Sequence, residues 1–138
     1  MNVRKSPCDE CGFSRSCPPE LLGGSPVETY IGQAWGPFMV PCHKACDFSD
    51  PEWKDKAFET LQCAGMAIFR ANLGSAKLMP AEIQQLPADT ETVFKNEIEF
   101  MAHHKQIAWE DAAIQLILKS PVSHMHDQLT HPDTKVKR

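Results

Sequence analysis

The second half of this chain has no cysteine, since all six lie between Cys8 and Cys63. Whatever sulfur chemistry the protein has is therefore confined to the first half. No apolar run is long enough to span a bilayer, which excludes a hydrophobic membrane helix. Arg4 and Lys5 near the start are followed by no apolar segment, so no secretory signal is expected. The expected location is cytoplasmic, where thiols stay reduced and clustered cysteines serve as ligands or redox groups rather than as a disulfide framework. Positive charge is also in deficit: the formal net charge is -4, without the electrostatic footprint of a non-specific nucleic-acid binder. Nucleic acid is thus a disfavoured partner. There is no internal repeat and no low-complexity tract. Pro7-Cys8-Asp9-Glu10-Cys11 matches the second half of a zinc-deaminase signature, but no H-x-E precedes it, and that chemistry is excluded. The same C-x-x-C sits in a proline-bounded loop and not between a strand and a helix, which argues against thioredoxin-type exchange.

What is present suits one small domain. At 138 residues, with 42% apolar and 23% charged residues, the chain can bury a modest core. The expected division is a single domain over 1–121, with a metal-binding half at 1–74 and a helical half at 75–121. The loose tail over 122–138 ends in Lys135-Val136-Lys137-Arg138.

Seven groups compete as metal ligands: Cys8, Cys11, Cys17, Cys42, His43, Cys46 and Cys63. Two residues between Cys8 and Cys11 let a tight turn bring both sulfurs to one ion, and Gly12 offers the backbone freedom such a knuckle needs. Cys63 precedes a helical pattern, where the N-terminal dipole favours a thiolate. A structural zinc or a cubane cluster takes four ligands, so some of the seven must be left over. The expected set is Cys8, Cys11, Cys42 and Cys63, with His43, Cys17 and Cys46 in reserve. His43 is read as an outer partner hydrogen-bonded to a ligand sulfur. Zinc is the expected metal, and a [4Fe-4S] cluster is the alternative, favoured by the all-cysteine set and by Cys17-Pro18.

Cys8-x-x-Cys11, then Cys42-His43, then Cys63-Ala64-Gly65 resembles a group of small bacterial and phage proteins with a C-x-x-C … C-H … C-A-G outline. The resemblance covers about residues 7–73. It implies that Cys8, Cys11, Cys42, His43 and Cys63 are the shared positions and that Cys17 and Cys46 are additions. Gly12-Phe13-Ser14-Arg15 departs from the Pro-aromatic-Arg that follows the second cysteine in many members of the group. The resemblance implies no reaction.

The fold class expected is mainly α: an irregular, metal-stapled N-terminal half with at most a short β-hairpin, packed on a C-terminal helical hairpin. Ser25, Pro26 and Glu28 predict a capping-box helix start, with Val27, Tyr30 and Ile31 inward and a stop within 32–36. Trp35 and Phe38 are expected in the core, and Phe38-Met39-Val40 as a short strand carrying Cys42. A short helix is expected from Pro51, capped by Ser49 or Asp50, with Trp53, Ala57 and Leu61 on one side. The spacing predicts a helix over Ala64 to Leu73, stopped by Gly74, with Arg70 and Asn72 on its exposed side. Residues 74–89 read as a connector with a helical turn at 81–86. A helix starting after Asp89 or Thr90 carries Val93, Phe94, Ile98 and Met101 and ends in His103-His104-Lys105-Gln106. A last helix runs over Trp109 to Lys119 with Ala112, Ala113, Leu116 and Ile117 inward. His103 and His104 read as helix-end residues suited to the dipole, and His124, His126 and His131 as weak metal binders at most. Acidic residues on the final helical pair argue against a DNA-reading helix-turn-helix. The function expected is therefore a non-enzymatic, zinc-binding protein-interaction module. If phage-encoded, it would act as an inhibitor of a host protein. The Gly23–Phe38 segment, with Tyr30, Trp35 and Phe38, offers either a groove for a protein partner or, equally, core surface.

Overall fold

The structure is a computed structural model and describes residues 1–57 and 59–119. The expected tail, its domain boundary and His124, His126 and His131 lie outside the described residues. The described chain is mainly helical: α1 (Val27–Trp35), α2 (Trp53–Lys56), α3 (Ala64–Leu73), a 3-10 turn (Ala76–Leu78), α4 (Ala81–Gln84), α5 (Glu97–Lys105) and α6 (Trp109–Lys119). No helix among the described residues is long and apolar enough to cross a membrane.

Strand pairing among the described residues amounts to three isolated bridges, Val3 with Gln62, Ser14 with Val93 and Pro41 with Gln62, and not to a hairpin. The two bridges at Gln62 align three chain segments. Gln62 N–H donates to the Asn2 carbonyl at 2.8 Å and Cys42 N–H to that of Leu61 at 2.7 Å, while Cys63 N–H reaches Val40 at 2.9 Å. Residues 61–63 therefore run between the N-terminal segment and residues 40–42. Phe38-Met39-Val40 contributes an extended approach to Cys42 instead of a strand of its own.

One hydrophobic cluster joins the two halves. Cys8, Cys11, Phe13, Cys42 and Phe69 from the first half pack with Val93, Phe94, Ile98, Phe100, Ala112 and Leu116 from the second. At its centre Phe13, Phe69 and Phe100 meet pairwise with ring centroids 5.3–5.5 Å apart. Each ring removes a large apolar surface from water, and the tilted and stacked geometries add modestly to that burial. Phe13 comes two residues after Cys11, so the cysteine knuckle and the core share one chain segment.

The structure departs from the sequence expectations at several places. The cap of α1 is Pro26, with no side-chain cap bond, so Ser25 does not fill that role. Phe38 is 55% exposed and not core, whereas Trp35 packs against the core and donates Nε1–H to Glu97 Oε1 at 2.7 Å. The short helix α2 begins at Trp53, after the Asp50 carboxylate has accepted from Glu52 N–H at 2.9 Å. The start expected after Asp89 moves to Glu97, because Asp89 instead holds a turn, accepting from Glu91 and Thr92 N–H, and Asn96 caps α5 through Glu99 N–H. Val93 and Phe94 are thereby freed to pair with the knuckle segment: Phe94 N–H donates to Phe13 and Arg15 N–H to Thr92.

Arg70 and Asn72 overturn their expected exposure. Arg70 is 1% exposed. Its guanidinium donates to the carbonyls of Gln33, Ala34, Gly36 and Phe38 at 2.7–2.9 Å. These include carbonyls left without intrahelical partners at the end of α1, so a cation from α3 serves as the missing C-terminal cap. Asn72 bridges to the 89–94 segment in the same manner. Its amide donates to Asp89, Val93 and Phe94 carbonyls, and its oxygen accepts from Asp89 N–H at 2.8 Å. The helix bounds themselves match expectation, with Gly74 left-handed at φ 84° just past Leu73.

Candidate metal centre

Residues 8–17 form a run of tight turns. Cys11 N–H donates to Cys8, Ser14 N–H to Cys11 and Cys17 N–H to Ser14, at 3.0–3.2 Å. This folds Cys8 and Cys11 onto one side of the loop. The 40–42 and 61–63 segments then bring Cys42 and Cys63 to the same place. All four join one core cluster, and Cys63 caps α3, its sulfur accepting Met66 N–H at 3.4 Å.

The sulfurs meet as two pairs. The Cys63 thiol lies against the Cys11 sulfur, and the backbone amides of Phe13, Ser14 and Gly65 stand near enough to favour its ionised form. Cys63 and those amides bring Cys11 down to about 7 from 9.0, against the opposing effect of burial. Cys63 moves up, through its bond to Cys11, its burial and the proximity of Cys11 and Cys42. Burial raises Cys8, with smaller contributions from neighbouring Cys11 and Cys42 and a hydrogen bond to Cys42, while the Glu10 amide works the other way. The expected set, Cys8, Cys11, Cys42 and Cys63, is thus assembled from three separate stretches of chain. Among the described residues, no three Cys, His, Asp or Glu side chains stand so that they could hold a metal ion as they are.

The reserve residues have other partners. The Cys17 thiol points to the carbonyls of Pro18 and Leu21, at 3.3 and 3.6 Å. Its pKa is raised by burial first and then by Cys11 and Cys8, which marks it as a neighbour of the group. Cys46 is raised by burial and by Asp47 and Asp50, with no sulfur among the causes. His43 is 42% exposed and sits 3.6 Å from the Glu10 carboxylate. It therefore faces an acid at the rim and not, as expected, a ligand sulfur.

Gly65 carries a role that its place in Cys63-Ala64-Gly65 does not explain. A Cβ at this position would overlap the Cys11 sulfur and come within 3.1 Å of Phe13 Cβ. The missing side chain is what lets the knuckle seat on the first turn of α3. The histidine pair also departs from its helix-end reading. His103 Nε2 lies 2.6 Å from the Cys17 carbonyl and His104 Nε2 2.7 Å from that of Gly12, while Glu20 N–H donates to His104 Nδ1 at 3.1 Å. His104 is 2% exposed and its pKa is lowered, by burial above all, so an imidazolium suited to a helix dipole is the wrong description of it. Both rings clamp the cysteine loop to α5. A doubled histidine at a helix end opposite a loop of free carbonyls is the signal in the sequence that points to this clamp.

Beside the foursome opens a cleft of about 570 Å³, with Cys11 and Cys63 in its wall. Leu21, Leu22, Tyr30, Met39, Phe48 and Trp53 supply apolar surface. Of the groove residues expected from sequence, Tyr30 lines this cleft; Trp35 and Phe38 are not among its lining residues. Phe48 and Trp53 carry no such expectation from sequence; they meet edge to face at 4.9 Å. No family model matches the chain, and no curated protein and no solved structure is significantly similar to it.

Proposed function

We propose that this is a small metal-binding, non-enzymatic protein in which Cys8, Cys11, Cys42 and Cys63 hold one zinc ion. The observation that carries this reading is that four cysteines from three chain segments come into one core cluster as two neighbouring pairs, two of the four beside helix or turn N–H donors. Reduced thiols gain little from such gathering in themselves, because burial opposes their ionisation and they hydrogen-bond weakly. A cation reverses that balance: thiolates are its natural ligands, and N–H groups aimed at sulfur stabilise them in that state. Binding draws the two sulfur pairs together and so couples metal affinity to the docking of the 8–17 loop. Four sulfur ligands leave a zinc ion no open position, which is the reason for assigning a structural and not a catalytic role.

The site's use is protein interaction. The net charge of -4 supports a protein partner over nucleic acid, and if the chain is phage-encoded, as part of the bacterial and phage group it resembles is, inhibition of a host protein is the corresponding role. The all-cysteine set also favours a second reading, a [4Fe-4S] protein with redox or sensing work. Metal analysis of native protein, anaerobic absorption spectra and the six single Cys→Ser variants test both. One zinc per chain, lost in C8S, C11S, C42S and C63S but kept in C17S and C46S, is the expected result. A brown protein with four irons per chain transfers the assignment to the cluster. Metal-free protein that keeps its fold in chelator overturns the metal reading.

A further inference from the structure

We propose that the cleft beside Cys11 and Cys63 is a binding site for a small amphipathic cation, an aromatic or aliphatic body carrying an ammonium group. Its size, about 570 Å³, falls in the range of small-molecule sites. Its walls come from five stretches of chain: the knuckle, the loop at 21–25 with Tyr30 and Gln33 of α1, the 39–43 segment, Phe48 with Trp53, and Cys63. Such a shape encloses a ligand on several sides, as a flat protein-docking face does not.

The walls also specify chemistry. Leu21 and Phe48 are 46% and 52% exposed, so the cleft presents large apolar side chains to water without covering them. Among its lining residues Glu10 is the one with a formal charge at neutral pH when histidine is counted as neutral, and it is 57% exposed at the rim beside His43. Lining residues include no lysine or arginine. The nearby Lys44 is engaged by Asp9. A negative charge at the edge of an apolar bowl suits a positive group tethered to an apolar body, and repels an anion of the same shape.

The proposal does not depend on a metal being bound, and the test separates the two. Phenylbutylamine and phenylbutyrate, matched in apolar body and opposite in charge, are titrated into full-length protein of measured zinc content. Methyl and indole NMR shifts are followed. The amine is expected to bind saturably, shifting Leu21, Leu22, Met39, Val40 and Trp53, and about fivefold more tightly than the acid. E10Q should bring the two affinities to near equality. F48A and L21A should weaken both alike, and since both side chains are half exposed these variants keep the fold. Equal affinity in the native protein, shifts outside the cleft or no saturable binding overturns the proposal. So does tighter binding of a capped Phe-Lys-Leu peptide than of the free amine, which assigns the cleft to a protein segment.

Discussion

The sulfur of Cys11 fills the space that a side chain at Gly65 would need. Glycine lacks helix propensity, and at the second position of α3 it costs about 1 kcal/mol relative to alanine. That cost is offset by a close approach: the Gly65 backbone lies beside the Cys11 sulfur, and the Phe13 side chain packs against the same spot. The knuckle and α3 thus fit together through an absence of atoms.

Gly65→Ala is accordingly expected to destabilise the protein by about 1–3 kcal/mol, the usual cost of overfilling a packed site. It should also weaken zinc retention, because the Cys11 sulfur must shift. Gly32 offers the matched contrast. It lies in α1, and a Cβ added there would meet nothing within 4 Å, so Gly32→Ala should raise stability by about 0.5–1 kcal/mol. Urea denaturation of the two variants, with zinc assayed on the folded fractions, gives both comparisons. Equal behaviour of the two variants would remove the packing argument.

Arg70 makes the sharpest prediction for stability. Its buried guanidinium satisfies four carbonyls around the end of α1, and desolvation lowers its pKa to about 10 from 12.5. It remains charged at neutral pH. Arg70→Met removes the donors and leaves the Gly36 and Phe38 carbonyls without their partner, while Ala34 keeps Ser75 Oγ–H and Gln33 keeps Gly36 N–H, at an expected cost of about 1–3 kcal/mol. Arg70→Lys retains charge but has no planar fork to span four acceptors, and should recover only part of the loss. Thermal unfolding orders the three proteins as native, lysine, methionine; a methionine variant as stable as the native chain contradicts the capping role.

The contrast between Arg70 and its own helix shows what was legible in the sequence. The bounds of α3 could be read because Cys63 and Gly74 are local signals, and α6 could be read from its apolar spacing. The destination of Arg70 could not, because the carbonyls it caps lie more than thirty residues earlier and are orphaned only once α1 ends at Trp35. The late start of α5 has a similar cause. Asp89 and Asn96 are both good capping residues, and the pairing of Val93–Phe94 with Phe13–Ser14 decides between them. At the site, the sequence offers seven candidate ligands, and Cys8, Cys11, Cys42 and Cys63 stand first among them with swaps left open. The pairing of Cys8 with Cys42 and Cys11 with Cys63 depends on three segments aligned at Gln62, which local pattern does not encode.

His104 gives a pH dependence with a definite sign. A carbonyl at Nε2 and an N–H at Nδ1 fit the neutral ring, and burial lowers its folded pKa below the ordinary 6.5. The unfolded chain therefore binds more protons as pH falls through 6.5, so the stability from this group is complete above that value and declines beneath it. The decline ends once pH drops below the folded pKa. Neighbouring His103 adds to the same direction by opposing a second positive charge. Urea midpoints measured from about pH 7.5 down to about pH 5 should fall in the native protein and fall less in His104→Gln. Identical slopes in the two proteins assign the pH dependence to other groups.

Asn72 ties α3 to the segment that leads into α5, and its chemistry allows a test with almost no change in shape. The amide nitrogen faces three carbonyl oxygens, those of Asp89, Val93 and Phe94. Asn72→Asp replaces that donor with an acceptor, leaving the Val93 and Phe94 carbonyls without it while Asp89 keeps the Val93 N–H, and sets negative charge against all three. The expected cost is about 1–3 kcal/mol for the unsatisfied groups alone. Because protonation gives the carboxyl one donor back and the facing carbonyls oppose its ionisation, part of the loss should be recovered as pH falls toward the ordinary carboxylate value of about 4. The native protein shows no such recovery at this position, so the difference in unfolding free energy between the two proteins should narrow as pH falls. Hydrogen exchange locates the effect: the amides of Val93 and Phe94 should lose protection before those of α6, since the weakened link is the one between α3 and the 89–94 segment. Uniform loss of protection across all helices would mean that this link is not a separate unit of stability.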